Sequence, residues 1–327
     1  MKRFLLIGAA ALCMFAACSE NEDFGDVQPK IPADMEQAFP DPNFRAYVME
    51  NFDTDHDGKI SEAEAEAVTV IETYHSKSGA IYPAKQIASL EGVQYFENLQ
   101  YLNCSSEQLT SLDVSKNTEL TQLSCYHNQL TTLDVSQNTA LTSLSCSYNQ
   151  LTTLDVSKNT ALTGLGCNGN QLTTLDVSNN TALTSLGCGE NQLTTLDVSN
   201  HTELTKLYCD SNQLTTLDVS NNTALTDLYC YSNQLTTLDV SQNTALKWLL
   251  CHNNQLTTLD VSKNTALTSL GCGENQLTTL DVSKNTALQR LECTENPLEK
   301  LYVISRWINI SGWYYPPQTE IVYVYVD

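Results

Sequence analysis

Proline is absent between Pro83 and Pro297, and positively charged residues are scarce throughout the chain. The 16 lysines and arginines stand against 38 aspartates and glutamates, for a net charge of −22 at pH 7. This excess of negative charge argues against nucleic acid or an anionic membrane surface as a partner. The five histidines are scattered, without the spacing of a metal site or of a nucleophile–base pair, so we expect no enzymatic activity; they are His56, His75, His127, His201 and His252.

The proline-free stretch repeats one 21-residue sequence. A typical copy runs from Leu141 to Ala161 as LTSLSCSYNQLTTLDVSKNTA. A fixed period of this length is typical of solenoids, in which each coil contacts only its neighbours. Ten cysteines mark the period with no insertion; they are Cys104, Cys125, Cys146, Cys167, Cys188, Cys209, Cys230, Cys251, Cys272 and Cys293.

Each copy contains L-x-x-L-x-C-x-x-N-x-L, the leucine-rich-repeat pattern with cysteine in the third apolar position. Leu144 and Cys146 alternate with polar neighbours, as expected of a strand in a parallel stack. The 21-residue period leaves little room for a helix on the convex side. We therefore predict an α/β-class leucine-rich-repeat solenoid that is mostly β. Its concave face carries parallel strands, its convex face short extended or 3₁₀ segments, and its N-terminus a small α-helical EF-hand-like cap.

Three recurring residues are interpreted as scaffold. The cysteines lie in register with leucines, and the predicted spacing and orientation of neighbours suit free thiols better than disulfides. Asn149 and its equivalents can bond the backbone of the turn and of adjacent coils. The nine aspartates from Asp113 to Asp281 are predicted to form turns by side-chain bonds to the backbone, with a metal ladder as the alternative.

The N-terminus has the features of a secretory signal. Residues 1–17 combine Lys2 and Arg3 with an apolar run too short to span a membrane as a mature helix. The ending Phe-Ala-Ala-Cys resembles a bacterial lipobox, which makes Cys18 the acylated first residue; an ordinary signal cleaved elsewhere is the alternative. Residues 18–38, with an acidic run after Cys18, then predict a flexible lipidated linker leading out from the outer membrane.

Residues 39–67 predict a calcium-binding cap. Residues 41–52 have apolar side chains at helical spacing, with Asp41 as N-cap and Pro42 in the first helical position. The loop from 53 to 64 matches the EF-hand pattern, with Gly58 at the sharp turn. A single loop indicates structural calcium, because sensor EF-hands come in pairs; a degenerate loop without metal is the alternative. The predicted ligands are Asp53, Asp55, Asp57, the Lys59 carbonyl, Ser61 and Glu64.

The repeat array is assigned to residues 68–296 and a C-terminal cap to residues 297–327. The repeat pattern decays after Asn296, and residues 321–326 alternate as a strand. End coils must cover an otherwise open core, which favours a cap. A separate aromatic binding module is the alternative, although 31 residues are few for an independent domain.

Variation between copies is concentrated at the positions flanking the strand leucine and the cysteine, which point outward on the concave face. Exposed tyrosine and tryptophan on one face predict a binding site for a protein or a glycan. The alternative is neutral drift after duplication, since residues 180–199 recur unchanged as 264–283. The candidate binding residues are Lys206, Tyr208, Asp227, Tyr229, Tyr231, Trp248, Leu250 and His252.

The cysteine-containing repeat and the helical cap together resemble the internalin-J-like proteins and leucine-rich-repeat lipoproteins of Bacteroidota-type bacteria. This resemblance covers roughly residues 39–306 and implies adhesion or ligand binding at a bacterial surface. This sequence differs from the internalins in two respects. Its metal loop is complete, and an N-terminal lipid anchor takes the place of a C-terminal wall signal. We therefore expect a monomeric, surface-exposed outer-membrane lipoprotein held by its lipid alone; a structural subunit of an outer-membrane complex is the alternative.

Overall fold

Each 21-residue repeat forms one coil of a solenoid, and each coil begins with a short parallel strand. A computed structural model describes residues 31–73, 86–304 and 312–325, and the structural statements below refer to these residues. The strands are β1 (Val70–Glu72), β2 (Tyr101–Asn103), β3 (Gln122–Ser124), β4 (Ser143–Ser145), β5 (Gly164–Gly166), β6 (Ser185–Gly187), β7 (Lys206–Tyr208), β8 (Asp227–Tyr229), β9 (Trp248–Leu250), β10 (Ser269–Gly271), β11 (Thr279–Asp281), β12 (Arg290–Glu292), β13 (Lys300–Ile304), β14 (Trp313–Tyr314) and β15 (Glu320–Val324).

Twelve of these strands form one continuous parallel sheet in the order β1 to β10, β12 and β14. The register advances by one whole repeat, so that Leu144 of β4 lies between Leu123 of β3 and Leu165 of β5. Equivalent residues of all repeats therefore lie in rows across the sheet. The predicted leucine-rich-repeat solenoid is confirmed.

The core consists of inward-facing leucine, cysteine and valine side chains repeated in every coil. Leu141, Leu144, Cys146, Leu151 and Val156 are each at most 1% exposed. The ten cysteines are buried and free, which confirms them as core side chains. Burial raises the pKa of the Cys146 thiol to about 12, so it stays protonated and unreactive at neutral pH.

Asn149 and its equivalents form a ladder of buried amides, as the sequence predicts. Asn149 Oδ1 accepts a hydrogen bond from the backbone N–H of Leu130 in the preceding coil, at 3.0 Å. Its Nδ2 donates to the carbonyls of Cys125 and Cys146, also at 3.0 Å. The side chain thus bonds its own coil to the previous one and satisfies backbone groups that would otherwise be buried without partners.

A second buried ladder lies on the convex side and was not predicted from the sequence. Asn159 Nδ2 donates to the carbonyls of Val135 and Asn138 at 2.9 Å, and the side chain is completely buried. In contrast to the first ladder, Asn159 Oδ1 has no hydrogen-bond partner. The other asparagines with this arrangement are Asn117, Asn138, Asn180, Asn222, Asn243, Asn264 and Asn285.

His201 interrupts the second ladder. Its Nε2 lies 3.1 Å from the carbonyl oxygen of Val177, but the second bond, to Asn180, is missing. A cleft of about 260 Å³ opens beside the imidazole, and Leu175 in its wall is half-buried, whereas the equivalent leucines of the two adjacent coils, Leu154 and Leu196, are buried. Histidine therefore fits this position less well than asparagine.

Replacing His201 by asparagine is expected to stabilise the protein by about 1 kcal/mol, the usual net contribution of one added hydrogen bond. Thermal and urea unfolding measure the change. The reverse substitution, Asn222→His in the next coil, is the matched control and should destabilise the protein. If His201→Asn lowered the melting temperature, the interpretation of His201 as an interruption would be wrong.

The aspartate row forms turns, in agreement with the first of the two interpretations of the sequence. Asp155 Oδ1 accepts from the backbone N–H of Ser157 at 2.9 Å, and the same bond is made from Asp113 to Asp281. These bonds hold the pKa of the Asp155 carboxyl below its usual value. The chain turns again directly after this bond, where the backbone N–H of Asn159 donates to the Val156 carbonyl at 3.0 Å. One isolated β-bridge joins Asp113 and Asp134.

Three short helices cover the N-terminal end of the array: α1 (Met35–Ala38), α2 (Pro42–Phe52) and α3 (Glu62–Glu66). Asp41 caps α2 as predicted, because its Oδ1 accepts from the backbone of Asn43 and Phe44 at 2.9 Å. The ordered cap begins earlier than the predicted end of the linker at residue 38, since Ala38 in α1 is already buried. Most of the predicted linker and the signal, residues 1–30, lie outside the described residues.

The cap is bonded to the first coil by side chains from several of its elements. Asp41 Oδ2 accepts from the backbone N–H groups of Ala88 and Ser89. The Asn98 amide donates to the Glu66 carbonyl at 2.8 Å. These bonds hold the cap over the open end of the solenoid core. A solenoid needs its end coils covered in this way to remain soluble.

At the C-terminal end the array gains a second sheet. Strands β11, β13 and β15 pair in parallel, with Leu280, Leu301 and Ile321 in one row. Ile321 packs against the core, whereas Tyr314, Tyr323 and Tyr325 remain exposed. The alternating residues near the C-terminus thus form a strand of the cap, as predicted.

Candidate functional site

The predicted binding residues lie in adjacent rows on the concave sheet. Lys206, Asp227 and Trp248 pair in register across β7, β8 and β9. The neighbouring row consists of Tyr208, Tyr229 and Leu250. Each of these side chains points away from the core because the leucine between the two rows points inward. The eight predicted binding residues, from Lys206 to His252, are called the strand patch below.

Aromatic rings of the strand patch contact one another and remain accessible. The Tyr208 and Tyr229 ring centroids are 4.7 Å apart, and Trp248 is 44% exposed. Burial, together with the nearby Asp227 carboxylate, raises the pKa of both Tyr208 and Tyr229. Their hydroxyls therefore stay protonated at neutral pH, so that each can donate a hydrogen bond to a ligand.

Tyr231 and His252 belong to the same patch but follow the cysteine, beyond the end of the strand. Their rings stack at a centroid distance of 4.4 Å and an angle of 7°. The structure thus brings together all eight predicted residues, six on strands and two on the adjoining turn.

A second aromatic group, on the turns of earlier coils, was missed by the sequence analysis. His127 stacks on Tyr148 with centroids 4.6 Å apart, and Tyr126 meets His127 edge-on at 5.3 Å. His127 and Tyr148 both have positive φ, as do non-glycine residues at this turn position in seven other coils. The signal in the sequence is the second residue after the cysteine, which is tyrosine only in the copy that contains Tyr148. The predicted patch took in only the positions beside the leucine and the cysteine.

Tyr148 reaches across an intervening coil to a carboxylate. Its hydroxyl donates to Glu190 Oε1 at 3.0 Å, two repeats further along the chain. The ring passes over Gly169, where a Cβ atom would lie only 2.4 Å from Tyr148 Cδ1. Glycine at that position is therefore required for this contact.

Tyr231 approaches the Asp210 carboxylate from the following coil. The Tyr231 hydroxyl lies close enough to the Asp210 carboxylate for that carboxylate to raise its pKa, and Asp210 is only 8% exposed. Asp210 lies over Gly189, where a Cβ would be 2.8 Å from its Oδ1. Glu190 in turn is close enough to raise the pKa of Tyr231. Tyr148, Glu190, Asp210 and Tyr231 are called the turn cluster below.

The predicted metal loop brings three carboxylates together. Ligand oxygens of Asp53, Asp55 and Asp57 all lie within 4.8 Å of one another. Asp53 Oδ2 accepts from the backbone N–H of Gly58, whereas its buried Oδ1 has no hydrogen-bond partner. Gly58 has φ +83°, which explains the glycine at the sharp turn of the loop.

Glu64 lies outside this group of three carboxylates. Its Oε1 accepts from the backbone and hydroxyl of Thr54 at 2.6 and 2.7 Å. Its Oε2 accepts from the backbone and hydroxyl of Ser61 in a capping box. The hydrogen bonds from Ser61 and Thr54 lower the pKa of Glu64 to about 2. Glu64 therefore remains ionised and closes the loop by bonding both of its ends.

The loop is coupled to the array through buried apolar side chains. Ile60 is 4% exposed and belongs to the same continuous core as the repeats. Phe52, directly before the loop, meets Phe96 of the first coil at a centroid distance of 5.4 Å. The loop is thus held against the first coil by shared core side chains.

Lipid anchoring was assigned to Cys18, which lies outside the described residues. Within the described residues, no helix has the length and apolar character needed to cross a membrane.

Comparison with solved structures gives a clear relation to leucine-rich-repeat domains. The functional domain of InlJ from Listeria monocytogenes, which includes a cysteine ladder, is 39% identical over 88% of this chain, with a TM-score of 0.77. A leucine-rich-repeat protein of Leptospira interrogans is 25% identical over 72% of this chain and 69% of its own, with a TM-score of 0.58. An internalin, InlF from Listeria monocytogenes, shares the fold at 22% identity, covering 89% of this chain and 97% of its own, with a TM-score of 0.65.

The solenoid, its asparagine ladder and its row of buried cysteines define a leucine-rich-repeat protein. Within this class the chain is similar to the functional domain of InlJ, and like it has a cysteine ladder. The chain spans 60% of the length of the InlJ chain that it matches. Models of protein families give no match to this sequence, and a search of curated proteins gives none either.

Proposed function

We propose that this protein binds a protein ligand through the strand patch on its concave face. The observation that carries the proposal is the pair of side-chain rows across β7, β8 and β9, in which Tyr208, Tyr229 and Trp248 are accessible together. Tyrosine and tryptophan contribute most of the binding energy at protein interfaces. Similarity to the InlJ functional domain supports a binding role over catalysis.

Binding should depend on the two central aromatic side chains. The double variant Tyr229→Ala, Trp248→Ala is expected to weaken binding to an array of extracellular-matrix proteins and mucin glycans at least tenfold, because each anchor typically contributes 2 kcal/mol or more. Tyr314→Ala, which removes an exposed aromatic residue at the C-terminal cap, is the control and should bind normally. Unchanged binding by the double variant would contradict the assignment of the strand patch.

We further propose that the protein is displayed on a bacterial outer membrane by acylation of Cys18. Support comes from the apolar signal and the Phe-Ala-Ala-Cys ending. The acidic residues that follow would act as a tether, since like charges extend a linker. In this proposal the lipid is the only membrane contact.

The metal loop is proposed to hold a structural calcium ion. Three aspartate carboxylates within 4.8 Å of one another are the hard oxygen donors that calcium prefers, and the unpartnered Asp53 Oδ1 fits a bound cation. The Lys59 carbonyl, Ser61 and Glu64 would complete the ligand set. The ion would neutralise repulsion among these carboxylates and so hold α2 and α3 in place beside the first coil.

Calcium is therefore expected to raise the melting temperature of the protein. An extracellular module with a Kd of about 10⁻⁴–10⁻³ M would gain about 1.4–2.7 kcal/mol in 10 mM calcium. Asp53→Asn should abolish this gain, whereas Glu62→Gln, an exposed charge removal in the same loop, should preserve it. Calorimetric melts with calcium and with chelator measure the difference, and identical melts would contradict a structural ion.

A further inference from the structure

The turn cluster brings together two phenols and two carboxylates that come from four different coils. Tyr148 approaches from two coils before Glu190, and Tyr231 from one coil after Asp210. The two tyrosines face the same pair of acids, because Asp210 and Glu190 each raise the pKa of both Tyr148 and Tyr231. Each phenol ring is stacked on a histidine, His127 on one side and His252 on the other.

Within the described residues, the two ion pairs are Arg45–Glu36 and Lys300–Glu320, so neither carboxylate of the turn cluster is paired with a cation. Burial raises the pKa of Asp210, and the pKa of Tyr231 is raised to about 12, chiefly by burial and by the nearby Asp210 carboxylate. Both tyrosines therefore act as hydrogen-bond donors at neutral pH. Asp210 is buried, and Glu190 is exposed beside it, with its backbone N–H donating to the Asp210 carbonyl at 2.9 Å. Without a counter-ion, these two neighbouring carboxylates form a site of strongly negative potential.

We propose that the turn cluster binds a lysine or arginine side chain of the protein ligand, as a second anchor beside the strand patch. The two sites form one surface, because Tyr231 belongs to both. The ligand's cation would lie between Glu190 and Asp210, with the phenol rings on either side providing cation–π contacts. This inference rests on the proposed binding function and specifies the chemistry of the partner, a basic segment of a protein.

Charge complementarity favours a cationic side chain over a neutral sugar. Sugar hydroxyls could donate to Glu190 and Asp210, but they would leave both negative charges uncompensated, including that of the buried Asp210. A guanidinium or ammonium group donates the same hydrogen bonds and also neutralises the charge. The protein's net charge of −22 would in addition steer a basic segment toward this surface.

The duplicated segment provides a matched control. Glu274 occupies the position of Glu190 in an identical stretch of sequence, 264–283 against 180–199, but Ser232 stands where Tyr148 would be required to contact it. Glu295 occupies the same turn position in the next coil and is likewise exposed. The double variant Glu274→Gln, Glu295→Gln therefore removes the same net charge as Glu190→Gln, Asp210→Asn from the same edge of the solenoid.

Fluorescence anisotropy with hexaarginine and hexacitrulline peptides tests the proposal on the chain from residue 19 onward. At about 150 mM salt, charges further apart than about 8 Å are largely screened, so local contacts determine affinity. We expect hexaarginine to bind and hexacitrulline not to bind. Glu190→Gln, Asp210→Asn should raise the hexaarginine Kd about tenfold, or about 1.4 kcal/mol, and the control variant should leave it within twofold.

Equal weakening by the two double variants would overturn the proposal, since the effect would then be one of net charge. Equal binding of the two peptides would also overturn the proposal. So would a glycan from the array that requires Glu190 and Asp210 for binding, if hexaarginine binding did not require them. The variant Tyr229→Ala, Trp248→Ala separates the two claims. If this variant still binds the protein array while Glu190→Gln, Asp210→Asn does not, the result supports ligand binding by the turn cluster and contradicts ligand binding by the strand patch.

Discussion

Replacing Phe39 by alanine is expected to lower the free energy of unfolding by about 3–5 kcal/mol, the usual range for a fully buried phenylalanine. Phe39 is completely buried between α1 and the first coil. Its ring centroid lies 5.9 Å from those of Phe44, Tyr95 and Phe96. The substitution therefore leaves a cavity where aromatic side chains of the cap pack against those of the first coil.

Backbone geometry makes this cavity difficult to refill. Gly92 has φ +105°, and a Cβ atom there would lie 2.3 Å from Phe39 Cδ1. The backbone at Gly92 is thus shaped around the ring and cannot move inward without losing its turn. Loss of the cap exposes the leucines of the first coil, from which a solenoid unfolds progressively because each coil is stabilised by its neighbours.

Urea denaturation combined with amide hydrogen exchange measures this effect. Exchange should increase at Leu99 and Leu102, next to the cap, more than at Leu270, far along the array. Tyr325→Ala removes an aromatic side chain that is 79% exposed, and it should change stability by less than about 0.5 kcal/mol. A Phe39→Ala protein as stable as the wild type would show that the helices do not hold the end of the solenoid.

The repeating pattern made the strands, the inward leucines and cysteines, and the Asn149 ladder predictable from the sequence. These features recur with a fixed period, and each follows from whether a side chain points inward or outward. The second ladder was missed because Asn159 lies among Ser, Lys and Thr residues that read equally well as a polar turn. Only the backbone shows that Asn159 is buried and bonded to two carbonyls.

The candidate site could be predicted only for residues that occupy the same strand position in neighbouring coils. Tyr208, Tyr229 and Trp248 could be placed together because the register of a parallel sheet is set by the period. The contact between Tyr148 and Glu190 spans two coils and depends on Gly169 between them, so no single repeat contains its signal. In the metal loop the sequence predicted all six ligands, whereas the structure groups the three aspartates and leaves Glu64 bonded to Thr54 and Ser61.

Removing one rung of the first ladder should destabilise the protein by about 2–4 kcal/mol. Asn191 accepts from the backbone N–H of Leu172 at 3.0 Å and donates to the carbonyls of Cys167 and Cys188. In Asn191→Ala the carbonyls keep one donor each, because Asn170 and Asn212 also bond them. The Leu172 N–H, by contrast, is left buried without a partner, which costs about 1–3 kcal/mol before the other lost bonds are counted.

Asn200→Ala provides the control, since Asn200 is exposed in the same coil and should be replaceable with little change. Asn275→Ala provides a comparison of position, because Asn275 makes the same bonds within the duplicated sequence but lies near the C-terminal end. In a chain stabilised by nearest-neighbour contacts, a defect in the middle uncouples two long halves. A defect near one end leaves most coils coupled.

We therefore expect Asn191→Ala to broaden urea unfolding or split it into two transitions, followed by circular dichroism, with a smaller apparent m-value for each. Asn275→Ala should lose similar local energy but keep one main transition. If the two variants unfolded identically, the array would behave as a single cooperative unit. The ladder would then contribute stability without setting how far unfolding spreads from coil to coil.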